Sequence, residues 1–328
     1  MAKAKKLPSG NWRVQAYSNG IHKSFTAPTK KEAELKAINW QSGQTRIYKT
    51  NNVTLKEAAE KYIECRQSVV SPVTIETYNG YLKRYLLDLQ SKPIQNITEN
   101  TLQTAFNELS SNLSPKTVKC VYAFFSAVFK QYNIEHKIIL PKVYKKIYNV
   151  PDKEQSKKLL EAVKGHYIEV PVNLALRCGM RISEIRGLKF SNVKNNTITV
   201  DNVIVTIGDK TIEKSPKSSA GVRMFPIPQD ISDMIDKLPH DTEYITKHSD
   251  KAINKSLHII CRKNGIQEFT VHELRHGFAS AMALLGIPEH YAMAIGGWDT
   301  SDTMHKIYMQ TFDKSKMEFS QKINKYFL

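Results

Sequence analysis

The sequence predicts a multidomain protein, mainly α with small β-sheets, and three observations predict it. At 328 residues the chain has room for two or three domains and a sizeable core. Helix-start signals recur from Thr29 to Thr270, while short runs with strand alternation occur near the N-terminus and again between residues 197 and 227. A polar stretch, Gln41 to Asn52, and a charged one, Leu140 to Lys146, divide the chain into residues 1–50, 51–145 and 146–328.

Residues 1–50 read as a small three-stranded sheet with a helix behind it. Trp12 to Tyr17 alternates apolar and polar residues, Asn19-Gly20 supplies the positive backbone angles of a two-residue hairpin turn, and Ile21 to Phe25 returns. Thr29 and Glu32 then form a capping box for a helix running to about Trp40. Residues 51–145 read as all-helical. Thr54 with Glu57 makes a second capping box, Ser71-Pro72 and Ser114-Pro115 place proline at helix starts, and Thr98 opens another helix. Val118, Val121, Tyr122, Phe125 and Phe129 recur at helical spacing and are expected in a core.

Residues 146–328 read as α+β. An apolar helix through Asn173 to Leu176 is broken at Cys178-Gly179, and Ser183 or a neighbour is expected to start the next helix at Glu184. Thr197 to Val200, Val203 to Ile207 and Val222 to Ile227 predict one three-stranded sheet. Thr270 with Glu273 caps a further helix, along which Phe278, Ala281 and Leu284 are expected to pack inward, and a short helix after Pro288 ends at Gly296-Gly297.

Charge and cysteines narrow the function. Forty-eight Lys and Arg against 31 acids give +17, which favours a polyanionic partner. The density is highest in residues 1–50, with ten basic residues and two acids. Cys65, Cys120, Cys178 and Cys261 stand far apart with no C-x-x-C, arguing against a disulfide framework or a cysteine zinc site and for a reducing cytoplasm. Pro8 to Asn11 interrupts the place where a secretory signal needs its apolar run, and no stretch approaches membrane-spanning length.

The chemistry gathers in four segments: Gly179 to Glu184, His272 to His276, Gly296 to Trp298, and Tyr308 ten positions after Trp298. Arg181 and Arg275 can each fork two hydrogen bonds to a phosphate, and a tyrosine phenol can form a phosphoester. His272-Glu273-Leu274-Arg275-His276 also satisfies the H-E-x-x-H zinc pattern. A metalloprotease is disfavoured because Arg275 would place a cation beside the metal, Ala279 and Met282 break the extended zinc pattern, and Glu273 is committed to the cap.

These segments, in this order and spacing, resemble the tyrosine recombinase (phage integrase) family across essentially the whole chain. The resemblance implies that Tyr308 is the nucleophile, that Arg181 and Arg275 clamp the scissile phosphate, and that Glu184 orients the site. Trp298 stands where most relatives carry histidine; its indole can donate a hydrogen bond but cannot carry a proton. His272 is expected either to accept the tyrosine proton or to bind a phosphate oxygen. A hairpin lysine is expected to protonate the leaving 5′ oxygen, and the Pro216-Lys217 step before Arg223 selects Lys217, with Lys214 as competitor. Residues 1–50 look like an arm-binding domain, with Arg13, Gln15 and Lys23 as groove contacts. Residues 51–145 look like a core-binding domain, with Lys83, Arg84, Lys116 and Lys119 as phosphate contacts. The implied partners are double-stranded attachment-site DNA of core and arm type, a homotetramer assembled on it, and DNA-bending and directionality factors. No metal or other cofactor is implied. A type IB topoisomerase and a non-catalytic DNA-binding regulator remain the other classes.

Overall fold

The computed structural model describes residues 4–18, 21–41, 53–144, 149–208, 210–216, 219–301 and 324–326. Tyr308 and Lys217, Asn19-Gly20, and residues 302–323 and 327–328 lie outside them. The chain divides into two compact units, Met1–Val143 and Tyr144–Leu328.

The first unit holds two separate cores. Strands β1 (Lys5–Lys6), β2 (Trp12–Ser18) and β3 (Ile21–Ala27) form an antiparallel sheet in the order β1-β2-β3, and α1 (Lys30–Gln41) packs on it. Val14 and Ala16 are buried with Ala33 and Ala37 of α1, while Arg13 and Gln15 point the other way, as a two-residue period requires. The second core is helical: α2 (Leu55–Glu64), α3 (Pro72–Arg84), the single turn α4 (Leu87–Gln90), α5 (Glu99–Asn112) and α6 (Pro115–Gln131). The Thr54–Glu57 box closes in both directions, and Thr98 and Ser114 cap α5 and α6. Val118, Val121, Phe125 and Phe129 are fully buried; Tyr122 sits at the core's edge and donates to the His136 carbonyl at 2.7 Å.

The second unit wraps helices α7 (Lys153–Ala162), α8 (Glu169–Cys178), α9 (Ile182–Gly187), α10 (Gln229–Asp236), α11 (Asp250–Lys263), α12 (Val271–Leu284) and α13 (Glu289–Gly296) around one main core. Its strands differ from the expected single sheet. Strands β4 (Val193–Lys194), β5 (Thr197–Val200) and β8 (Arg223–Pro226) form one sheet, whereas β6 (Val203–Ile207) pairs with β7 (Lys210–Lys214) in a separate hairpin. The reason is reach: β7 follows β6 across a tight turn at Gly208, and it takes the edge that β8 would have needed.

Two further expectations are corrected. Helix α9 starts at Ile182, because the Glu184 carboxylate accepts from the Arg181 backbone N–H at 2.9 Å and makes Arg181 itself the cap. On α12, Phe278 is buried but Ala281 is exposed and Leu284 is 57% exposed. The buried stripe advances by four, from Leu274 to Phe278 to the partly buried Met282, so a three-residue step from Phe278 leaves the core.

Candidate active site

Three segments meet at the end of α13. The first is the α8–α9 junction, where Gly179 takes φ +65° as the cap of α8 and a Cβ there would lie 2.5 Å from the Phe278 ring. This tight reversal puts Arg181 at the start of α9, where Nη1 donates to Glu184 Oε1 at 2.6 Å and Nη2 to the Gly297 carbonyl at 2.8 Å. The second is α12, whose Arg275 is 1% exposed and donates through Nη1 to the carbonyls of Gly179 and Gly296. The third is the start of β8, where Arg223 Nε donates to the Ile295 carbonyl at 2.6 Å and Nη2 to Glu184 Oε2 at 2.8 Å.

Three arginines therefore hold three successive carbonyls, those of Ile295, Gly296 and Gly297. A helix C-terminus leaves such carbonyls unsatisfied and carries partial negative charge, so guanidinium groups suit it. Gly297 makes the approach possible: it has φ +68°, and a Cβ there would lie 2.7 Å from Arg223 Nη1.

Glu184 is the acid ion-paired within this cluster, bridging Arg181 and Arg223 while 2% exposed. Burial raises its pKa, but the hydrogen bond and charge of Arg223, with Arg181 and Arg275, outweigh that and hold the carboxyl below its ordinary value. Burial, then the charge of Arg181, pushes the Arg275 guanidinium down to about 9, and it stays a cation at neutral pH. Three cations against one carboxylate leave excess positive charge at a dry junction. Arg275 Nη2 is buried without a hydrogen-bond partner, a donor whose desolvation is uncompensated. An anion with several acceptor oxygens meets both needs.

The structure thus brings together Arg181, Glu184, Arg275 and Trp298. Trp298 is 7% exposed; the Arg275 guanidinium carbon lies 4.2 Å from its ring centroid, and its other neighbours include Phe278, with ring centroids 6.2 Å apart. His272 does not share the environment of Arg275: it is exposed at the start of α12, its ring edge-to-face with buried His276 at 4.4 Å. Glu273 accepts from the Thr270 backbone N–H at 2.9 Å, closing the capping box. Lys214 ends β7. Among the described residues, no group of three or more His, Cys, Asp or Glu side chains is placed to hold a metal ion.

Arg223 was missed by sequence reasoning, which used it only to place Lys217. A lone arginine opening a short strand gives no signal that it ends beside a buried carboxylate 39 residues away. Of the two arginines nearest Glu184 in sequence, Arg181 pairs with it, whereas Arg186 faces Asp250 at 3.7 Å.

The surface candidates also divide. Arg13 and Gln15 lie exposed on the open face of the first sheet, but Lys23 pairs with Ala16 and so stands on the opposite face, beside Phe25. The two-residue separation of Ser18 and Ile21 forces that register. Lys83, Lys116 and Lys119 are exposed on α3 and α6; Arg84, also exposed, donates to the Gly80 carbonyl at 2.9 Å. Among the described residues, no helix is long and apolar enough to cross a membrane.

Comparison with known proteins accords with this geometry. Residues 137–315, more than half of the chain, match the phage integrase family, and residues 54–110 match the N-terminal SAM-like domain of phage integrases. A tyrosine recombinase XerC-like protein of Caldanaerobacter subterraneus subsp. tengcongensis is 26% identical over 94% of this chain and 93% of its own length. The fold is similar to that of a Tn1549 transposon integrase in complex with a circular intermediate DNA (TM-score 0.68, 19% identity, 82% of this chain and 99% of that one). It is also similar to a lambda integrase tetramer bound to a Holliday junction (TM-score 0.62, 15% identity, 94% and 95%). The chain belongs to the phage integrase family, the tyrosine recombinases, and is a site-specific enzyme that breaks and rejoins DNA.

Proposed function

We propose that the junction of α8–α9, α12 and β8 is the scissile-phosphate site of an integrase that moves a mobile element. The observation that carries this reading is the trio of half-buried Arg181 with buried Arg223 and Arg275 side chains against the single carboxylate of Glu184, with Arg275 Nη2 left over. Tyr308 attacks the phosphate, and Arg181 and Arg275 stabilise charge on the non-bridging oxygens. Glu184 and Arg223 hold Arg181 in place. Trp298 packs against Arg275 and fixes its plane, and His272 takes the phenol proton or binds a phosphate oxygen. Lys217, with Lys214 as the other candidate, protonates the leaving 5′ oxygen. The resulting 3′-phosphotyrosyl bond keeps the energy of the broken one, so a 5′ hydroxyl from a partner duplex reverses the step with no metal or nucleotide.

Residues 1–50 then bind arm-type DNA, residues 51–145 one face of the core site, and residues 146–328 carry the chemistry. Four copies exchange strands through a Holliday junction in the cytoplasm, with bending and directionality factors setting the outcome. The neighbour solved as a tetramer on a Holliday junction supports that assembly.

The test uses nicked duplexes cut from the DNA ends that flank the gene's own element, so that the short 5′ fragment diffuses away after cleavage. Wild type is expected to give a metal-independent covalent protein–DNA band on a denaturing gel, and Tyr308→Phe none. Specific binding of these duplexes by wild type with no covalent band would overturn the reading.

A further inference from the structure

Proton delivery to the leaving oxygen depends on where the connection between β7 and β8 begins and ends. Its far end is fixed at Arg223, tied to Glu184 and the Ile295 carbonyl. Its near end follows Glu213, one residue before Lys214 and four before Lys217. The hairpin's inner strand, β6, sits against α9: a Cβ on Gly187 would lie 2.8 Å from the Val203 backbone, and Arg186 Nη1 donates to Thr206 Oγ1 at 3.0 Å. The outer strand, β7, is reached from the body through Glu213. Its carboxylate accepts from Tyr244 Oη at 2.8 Å and Asn202 Nδ2 at 2.6 Å, and pairs with Lys189 Nζ at 3.1 Å. Lys189 and Tyr244 are joined to each other by a β-bridge, and Phe190 N–H donates to the Glu243 carbonyl at 3.0 Å, so these partners form a fixed platform.

We propose that Glu213 is a positioning residue for the proton donor: by pinning the end of β7 to Lys189, Asn202 and Tyr244, it sets the origin of the lysine-bearing connection. Partly exposed ion pairs such as Glu213–Lys189 each stabilise a fold little, so the consequence drawn from these contacts is where they hold the end of β7. Its location supports that, since three partners from separate segments converge on the last strand residue before the candidate lysines. The Tyr244 hydrogen bond, then that of Lys189, holds the Glu213 carboxyl below its ordinary value, so it stays an anion at neutral pH. The inference rests on the lysine acting as general acid. In that step the bond from the tyrosine oxygen to phosphorus forms, the bond from phosphorus to O5′ breaks, the phenol proton passes to a base, and the lysine ammonium gives its proton to O5′.

The test replaces the bridging O5′ of the nicked duplex by sulfur, whose thiolate departs without a proton. With full-length protein at saturating DNA, Glu213→Gln and Glu213→Ala are expected to form the covalent complex about tenfold or more slowly on the oxygen duplex, a fraction of what a general acid supplies. On the sulfur duplex both are expected to match wild type, with unchanged melting temperature. Tyr244→Phe is expected to show a smaller loss with the same rescue. Glu213 variants that are equally slow on both duplexes, or unimpaired on the oxygen one, overturn the inference. The reading beneath it fails separately: if Lys217→Ala and Lys214→Ala are both unrescued by sulfur, the lysine is not the acid.

Discussion

Positive charge is handled in opposite ways by the two units. In the first, Lys83, Lys116 and Lys119 stand exposed on helices whose other faces make a core, and Arg84 reaches a carbonyl of its own helix and the neighbouring Tyr85 ring. In the second, Arg223 and Arg275 are buried, Arg181 is half-buried, and each is fixed by carbonyls or by Glu184. Exposed cations are screened by salt and cost little to keep; buried ones are expensive and keep their field. The difference fits the proposed division between holding DNA and acting on it: exposed cations suffice for backbone attraction, whereas stabilising a transition state needs donors that do not reorganise.

The largest effect expected from this contrast is on stability. Glu184→Ala leaves the arginine cluster without its acid, and loss of one partner of a buried pair is expected to cost about 3–5 kcal/mol in urea melts. Removing an exposed partner in the first unit, as in Glu60→Ala against Lys56, is expected to cost less than about 1 kcal/mol. Equal costs would break the comparison. The sign with pH sharpens it. The folded Glu184 carboxyl lies below its ordinary value, so its contribution is complete above about 4.3 and is lost as pH falls from there toward the depressed value. Glu184→Gln is therefore expected to flatten the acid limb of the stability profile.

How much of this was legible follows from range. The boxes at Thr54–Glu57 and Thr270–Glu273 close within one turn, so local sequence contains all their partners. The face of Lys23 was legible too, because the two-residue hairpin spacing read from the sequence already implies that Ala16 pairs with Lys23; the choice of groove candidates overlooked it. The order of segments anticipated that Arg181, Glu184, Arg275 and Trp298 meet, but not that His272 stands exposed apart from Arg275. In the second unit it was anticipated that β5 and β8 share a sheet, but not that β6 leaves it for a hairpin, because residues 210–214 were not read as a strand. Arg223 was hidden because its role depends on the Ile295 carbonyl and on Glu184, both remote in sequence.

A smaller contrast runs through the cysteines. Cys65 and Cys120 of the first unit are exposed, while Cys178 and Cys261 of the second are buried. Burial pushes the Cys178 thiol up to about 12 and the Cys261 thiol up as well. A disulfide reagent at pH 8 is expected to titrate Cys65 and Cys120 in the native protein and the other two only after unfolding. Rapid reaction at Cys178 would mean that the α8–α9 junction opens readily.

The most direct test of the central claim compares Arg275→Lys with the double variant Lys116→Ala/Lys119→Ala, measuring DNA affinity against salt and the covalent step at saturating DNA. Arg275→Lys is expected to bind with the wild-type salt slope but to form the covalent complex about a hundredfold or more slowly, as for loss of a preorganised donor. The double variant is expected to bind more weakly, with a slope shallower by about one to two, and to react at the wild-type rate once saturated. If Arg275→Lys, still folded by its thermal melt, instead loses affinity in step with cleavage, or cleaves normally, the buried arginines are not the phosphate clamp and the account is wrong.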